Sequence, residues 1–196
     1  MRTWLFHPLI FYPLAALLAV LVIAISLRPQ SFPHAAAPVA GQVVQGALVL
    51  QGAAFNSPAA DPSAQYLTVK RNFLGQAQTL RIAQLPGRPS PTPQDRGVRI
   101  MLDPEQTGAI AGRAVTVEVS YLPSTVNAAA ALAVSLQGGG AATWAIRPTP
   151  PQAGALRFEL PPQANPTALG LRAISSATDE AYGLEITRIR LIPHSR

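Results

Sequence analysis

Few side chains in this sequence have the types and spacing that chemistry demands. The only histidines are His7, His34 and His194. They fall near the amino terminus, in a proline- and alanine-rich stretch and at the carboxyl tail. That spacing predicts neither a histidine metal site nor a Ser-His-Asp triad. Two carboxylate pairs stand close in sequence, Asp103 with Glu105 and Asp179 with Glu180. Such pairs can act as acid and base or hold Ca²⁺. Both lie among turn residues, where capping and solvation account for them equally well. Cysteine is absent, which excludes thiolate catalysis, disulfides and cysteine-ligated metal. No G-x-S-x-G, P-loop or strand–helix GxGxxG occurs, and Gly138-Gly139-Gly140 reads as a turn without a helix behind it. The expectation is a non-catalytic protein with no cofactor and no metal. One residue stands out as a binding candidate. Trp144, in ATWAI, could stack on the apolar face of a sugar ring, or be a core tryptophan with its N–H satisfied.

The elements that would position Trp144 begin with an anchor. Pro8 to Leu27, PLIFYPLAALLAVLVIAISL, holds no charged residue. At about 1.5 Å per residue, roughly 20 such residues cross a ~30 Å hydrocarbon layer. Residues 1–28 are therefore expected to be an uncleaved signal anchor with one transmembrane helix. A cleaved signal peptide has a shorter apolar core, and the helices of a soluble domain usually keep a polar face, which this run lacks. Pro13 removes one helical donor near the start. Trp4, Phe6, Phe11 and Tyr12 at one end and Arg28 at the other are the expected membrane-interface residues. Arg2 and the amino terminus favour the cytoplasmic side, so the large domain is expected outside, in the periplasm of a bacterial inner membrane. The bacterial reading rests on the short anchor-plus-domain layout and the Ala/Arg/Pro-rich composition.

Residues 29–41 are a Pro/Ala-rich linker. Residues 42–196 read as one β domain. The 20 prolines and 14 glycines argue for many turns and few long helices. Apolar and alternating runs appear at Gln42–Gln51, Gln65–Arg71, Gln78–Ala83, Val98–Leu102, Ala114–Leu122, Ala131–Gln137, Ala142–Arg147, Ala155–Pro161, Ala168–Ser175 and Tyr182–Pro193. Val115, Val117, Val119 and Tyr121 face one side; Thr116, Glu118 and Ser120 face the other. Thr187-Arg188 breaks the alternation of the last run, as a bulge would. Asp103 with Pro104 predicts a single capped helical turn. The proline-dense stretch Leu85–Asp95 is a long surface loop. Short strands at regular spacing specify an antiparallel sandwich or barrel. The formal charge is +6, carried almost wholly by scattered arginines with Lys70 the only lysine. No basic stripe or nucleic-acid module accompanies it, which argues against nucleic acid and suits anionic headgroups.

The order VTVEVSYLP, LAVSLQGGGAATWAI, LRFELPP, LGLRAIS and GLEITRIRLIP, over Ala114–Pro193, resembles the galactose-binding-like jelly-roll domains, including carbohydrate-binding modules. The resemblance implies two antiparallel sheets face to face. Sugar binders of this kind usually line a groove with several aromatics, whereas this domain has only Phe55, Tyr66, Phe73, Tyr121, Trp144, Phe158 and Tyr182. By phase with their strands, Tyr121 and Phe158 belong in the core. Two functions are expected from the sequence. The first is an accessory or structural subunit of an integral membrane protein complex. The second is a membrane-anchored glycan-binding module in envelope polysaccharide synthesis or export.

Overall fold

The computed structural model describes residues 8–26, 41–55, 59–60, 65–84, 86, 92, 94–175 and 181–194. The chain divides into two compact units, Met1–Pro33 and His34–Arg196. In the first, helix α1 runs Pro8–Ser26 with Pro13 inside it and no acidic or basic residue in its end turns. The side chains described within it, Phe11–Val22, are all exposed, and the rings of Phe11 and Tyr12 meet edge-on with centroids 5.8 Å apart. At 1.5 Å per residue those side chains cover roughly 18 Å of helix axis. Among the described residues no helix is long and apolar enough to cross a membrane. Trp4, Phe6 and Arg28, expected at the interface, lie outside the described residues, as do the linker histidine His34 and the Asp179–Glu180 pair.

The second unit is an antiparallel β-sandwich. Its strands are β1 Gln42–Val44, β2 Ala47–Gln51, β3 Ala59–Ala60, β4 Tyr66–Arg71, β5 Ala77–Gln84, β6 Val98–Met101, β7 Val115–Pro123, β8 Ala131–Gln137, β9 Ala145–Pro148, β10 Gly154–Leu160, β11 Ala168–Ile174 and β12 Tyr182–Pro193. A seven-stranded sheet is built on β12, flanked by β7 with β10 beyond it and by β5–β4 and β2–β1. A five-stranded sheet has the order β3-β6-β11-β8-β9. The period-2 alternation of each strand sends one set of apolar side chains inward. Leu50, Leu80, Ile82, Val117, Val119, Phe158, Ile186 and Ile189 from the large sheet meet Val98, Ile100, Leu132, Val134, Leu169 and Leu171 from the small one in a single core. Tyr121 is also buried there, and its hydroxyl donates to the Pro150 carbonyl at 3.0 Å.

Several local expectations meet a different outcome. The apolar run Gln42–Gln51 is a tight hairpin rather than one strand. Gln45 and Gly46, at φ 52° and 76°, form the two-residue turn whose twist matches the strands it joins. The strand containing ATWAI starts at Ala145, so Trp144 precedes it. Ala59–Ala60, outside every run read as a strand, pairs with β6. At two places the sequence pattern and structure coincide, while linker residues 29–40 and most of the expected loop Leu85–Asp95 lie outside the described residues. The turn Pro104–Thr107 (α2) is capped by Asp103, whose side chain accepts from Glu105 N–H. The β12–β7 register shifts between Ile186 and Arg188. Where β6 stops alongside β11, the Gln65 amide takes over. Its Nε2 donates to Ala173 O at 2.5 Å and its Oε1 accepts from Ala173 N–H at 2.8 Å. This reproduces a ladder pair and satisfies backbone groups that would otherwise be buried unpaired.

Candidate ligand site around Trp144

The five-stranded sheet turns Leu132, Val134 and Leu136 of β8, and Leu169, Leu171 and Ala173 of β11, into the core. By alternation its outer face carries Ser135 and Gln137 on β8, Gly170 and Arg172 on β11, and Arg99 on β6. Ser135, Gly170 and Arg99 share one cross-strand row. This face is polar in type, yet Ser135, Gln137 and Arg172 are buried. Gly170 creates the room: a Cβ there would stand 2.0 Å from Gln137 Nε2 and 3.1 Å from Trp144 Cη2. The indole and the Gln137 amide therefore lie over a bare stretch of backbone.

Trp144 is half-buried. The Arg172 guanidinium lies over its ring, 4.3 Å from the centroid, a cation–π contact worth about 0.5–2 kcal/mol depending on solvation. Arg172 Nη2 donates to the carbonyls of Thr92 and Asp95 at 3.0 and 2.5 Å. Gln137 Nε2 donates to Arg96 O at 2.8 Å. These bonds tie the segment leading into β6 across the outer face. Burial pulls the Arg172 pKa below the ordinary arginine value, and the nearby Asp95 and Tyr182 oppose that pull. What remains is a set of buried polar atoms without a hydrogen-bond partner among the described residues: Trp144 Nε1, Arg172 Nε, Gln137 Oε1, Ser135 Oγ and Arg99 Nε. Such atoms cost about 1–3 kcal/mol each when left unmet, so their gathering on one face marks it out.

The sequence singled out Trp144 but not its companions. Arg172 is out of phase with Leu169, Leu171 and Ala173, which signals the outer face. Its burial and its seat on Trp144 come from the β8–β11–β6 register, which no local pattern encodes. The other candidate chemistry is taken up structurally. Asp103 caps α2. His194 Nε2 contacts Glu159 Oε2 at 3.2 Å and Thr116 Oγ1 at 2.6 Å on the outer face of the large sheet. Among the described residues no three His, Cys, Asp or Glu side chains come together as a metal-binding group.

No protein-family model matches the chain, and no curated protein matches it. Solved structures similar to it include carbohydrate-binding modules. One is BiXyn10A CBM1 in the apo form, 10% identical over 81% of this chain and 100% of that one, with a TM-score of 0.46. Another is the CBM22-1 xylan-binding domain of Paenibacillus barcinonensis Xyn10C, 14% identical over 82% of this chain and 100% of that one, TM-score 0.45. The CBM22-1-CBM22-2 tandem domain of the same enzyme is 15% identical over 83% of this chain, TM-score 0.46, and the chain spans 48% of its length. At these identities and scores, the sandwich rests on its own strand pairings and shared core.

Proposed function

We propose that this chain is a non-catalytic, membrane-anchored glycan-binding protein whose ligand sits on the outer face of the five-stranded sheet at Trp144. The observation that carries the reading is the group of unpaired buried polar atoms around a half-buried indole. Sugar hydroxyls donate and accept at once. Trp144 Nε1–H and Arg172 Nε–H are donors, Gln137 Oε1 an acceptor and Ser135 Oγ either; all four are covered, so a sugar engages them as the groups above them shift. The exposed part of the indole offers apolar surface to the C–H face of a sugar ring. A few convergent polar groups behind an aromatic surface are the ordinary make-up of a small-ligand site. Affinity electrophoresis in gels containing soluble polysaccharide tests it. The wild-type protein is retarded by at least one envelope-type polysaccharide, and Trp144→Ala abolishes the retardation. Equal mobility of the two proteins in every gel refutes the reading.

The anchor belongs to the same proposal. It rests on the uncharged run Pro8–Leu27 and on the exposed apolar side chains of Phe11–Val22. Burying such a surface in lipid removes it from water. The bilayer thus becomes a partner, with the amino terminus in the cytoplasm of a bacterium and the β domain in the periplasm. Alkaline carbonate extraction leaves the full chain in the membrane pellet, and a periplasm-dependent reporter at the carboxyl end is active. Release into the supernatant or a silent reporter contradicts the placement. A second reading, an accessory subunit of a membrane protein complex, is favoured by the same helix, since apolar surface all round suits helix neighbours as well as lipid. Stoichiometric co-purification with integral membrane proteins from native membranes supports it.

A further inference from the structure

The outer face of the seven-stranded sheet holds a second concavity, independent of Trp144. Its volume is about 330 Å³, and its lining includes Thr68, Arg81, Ala83, Ser124, Val126 and Tyr182. Its origin lies in the strand register. Ala83 pairs with Gly183 across β5 and β12, so two of the smallest residues stand side by side in the row that Tyr66 of β4 continues. Gly183 is obligatory, because a Cβ would stand 2.6 Å from Ile82 O and 3.2 Å from the Ala83 Cβ. The next row is Thr68–Arg81–Glu185, which raises a polar wall on one side. The loop after β7 forms the other wall and is fixed in place. Gly183 N–H donates to Asn127 O at 3.1 Å, Ala129 N–H donates to Gly183 O at 2.9 Å, and Ser124 Oγ donates to Val126 O at 2.7 Å.

Arg81 is the charge of this hollow, and its row neighbour Glu185 partly offsets it. The lining contains Arg81 and no carboxylate. Glu185, beside Arg81 in its row, spends one oxygen on Lys70 Nζ and the other on Thr79 Oγ1. Among the described residues Arg81 enters no direct ion pair. Val126, 71% exposed, supplies apolar surface opposite, whereas the Tyr182 side chain turns into the core. An arginine fork facing an apolar wall across a pocket with hydroxyl groups fits one ligand chemistry: a carboxylate on a compact, partly apolar body.

We infer that this hollow is a binding site for a small carboxylate, with Arg81 taking the carboxylate and Val126 and Ala83 holding the body. The carboxylate comes either from a uronic acid residue of a glycan or from a free organic acid. Saturation-transfer NMR on the full chain in lipid nanodiscs distinguishes them, with glucuronate, cyclohexanecarboxylate and glucose as probes at millimolar concentration. Glucuronate binding alone assigns the site to acidic glycans; binding of both acids assigns it to free acids. In either case glucose gives no Arg81-dependent signal, Arg81→Gln weakens the acid about tenfold or more, Val126→Asp removes it by repulsion, and Trp144→Ala leaves it unchanged. Arg81 is exposed, so its replacement spares the fold, which a thermal melt verifies. The inference is overturned if neither acid binds, or if Arg81→Gln and Val126→Asp bind the acids as wild type does. Because Trp144→Ala separates the two faces, either site can fail without the other.

Discussion

Gly170 is the residue on which the geometry of the Trp144 face depends, and Gly170→Ala measures that dependence. The added methyl meets Gln137 Nε2 at 2.0 Å and the Trp144 ring edge at 3.1 Å. The first distance is impossible without displacing the amide. Gln137 then loses its 2.8 Å bond to Arg96 O, a net loss of about 1 kcal/mol. Crowding the indole in its seat under Arg172 adds about 1–3 kcal/mol. Against this, alanine restricts the unfolded chain and returns about 0.4–1 kcal/mol. The expected result is a destabilisation of about 1–3.6 kcal/mol, the balance of those terms. The span His34–Arg196 has its own core, and Trp144 is its only tryptophan. Urea unfolding followed by Trp144 emission therefore reads both the stability and the surroundings of the ring. Gly139→Ala is the control, since a Cβ there meets nothing within 4 Å, and it shifts stability by less than about 0.5 kcal/mol. If Gly170→Ala unfolds with Gly139→Ala and the native emission is unchanged, the indole and amide do not lie over Gly170.

Leu169, fully buried between the sheets, loses about 2–5 kcal/mol on truncation to alanine; calorimetry shows a correspondingly lower Tm, whereas Phe73→Ser on the 90% exposed hairpin tip leaves Tm in place. Burial alone would raise the Glu185 carboxyl, but hydrogen bonds from Lys70 and Thr79 and the charges of Lys70 and Arg81 hold it below its ordinary value. A depressed carboxyl stabilises the fold above its unfolded pKa and loses that contribution as the pH falls through the folded one; acid titration of the unfolding midpoint shows the loss, and Lys70→Met reduces it. Gln45 holds φ 52° without being glycine, so Gln45→Asn, which tolerates that region better, raises stability by about 0.5 kcal/mol in the same urea assay.

What was legible in the sequence is what local period controls. Val115, Val117, Val119 and Tyr121 are all inward because alternation leaves them no other face, and Thr187 announces the β12 bulge by breaking it. The hairpin at Gln45-Gly46 was hidden because its turn lies inside an apolar run and lacks the Asn-Gly signal. Ala59–Ala60 is too short for any period. The Trp144 face was half legible: the tryptophan is visible, while Gly170, Gln137 and Arg172 meet it only through the β8–β11–β6 register. The hollow at Arg81 depends likewise on Ala83 falling opposite Gly183, a coincidence between two strands far apart in the chain.

The claim that Trp144 marks a glycan site is tested most directly by its own fluorescence. In the span His34–Arg196, titration with oligosaccharides prepared from the envelope polysaccharide that retards the protein shifts Trp144 emission to the blue and saturates, as a sugar ring covers the exposed part of the indole. Arg172→Gln, which removes the ring's stacking partner and its orienting bonds to Thr92 and Asp95, weakens that saturation. An emission that stays constant through the titration, while the protein is still retarded in the polysaccharide gel, places the glycan elsewhere and contradicts the account.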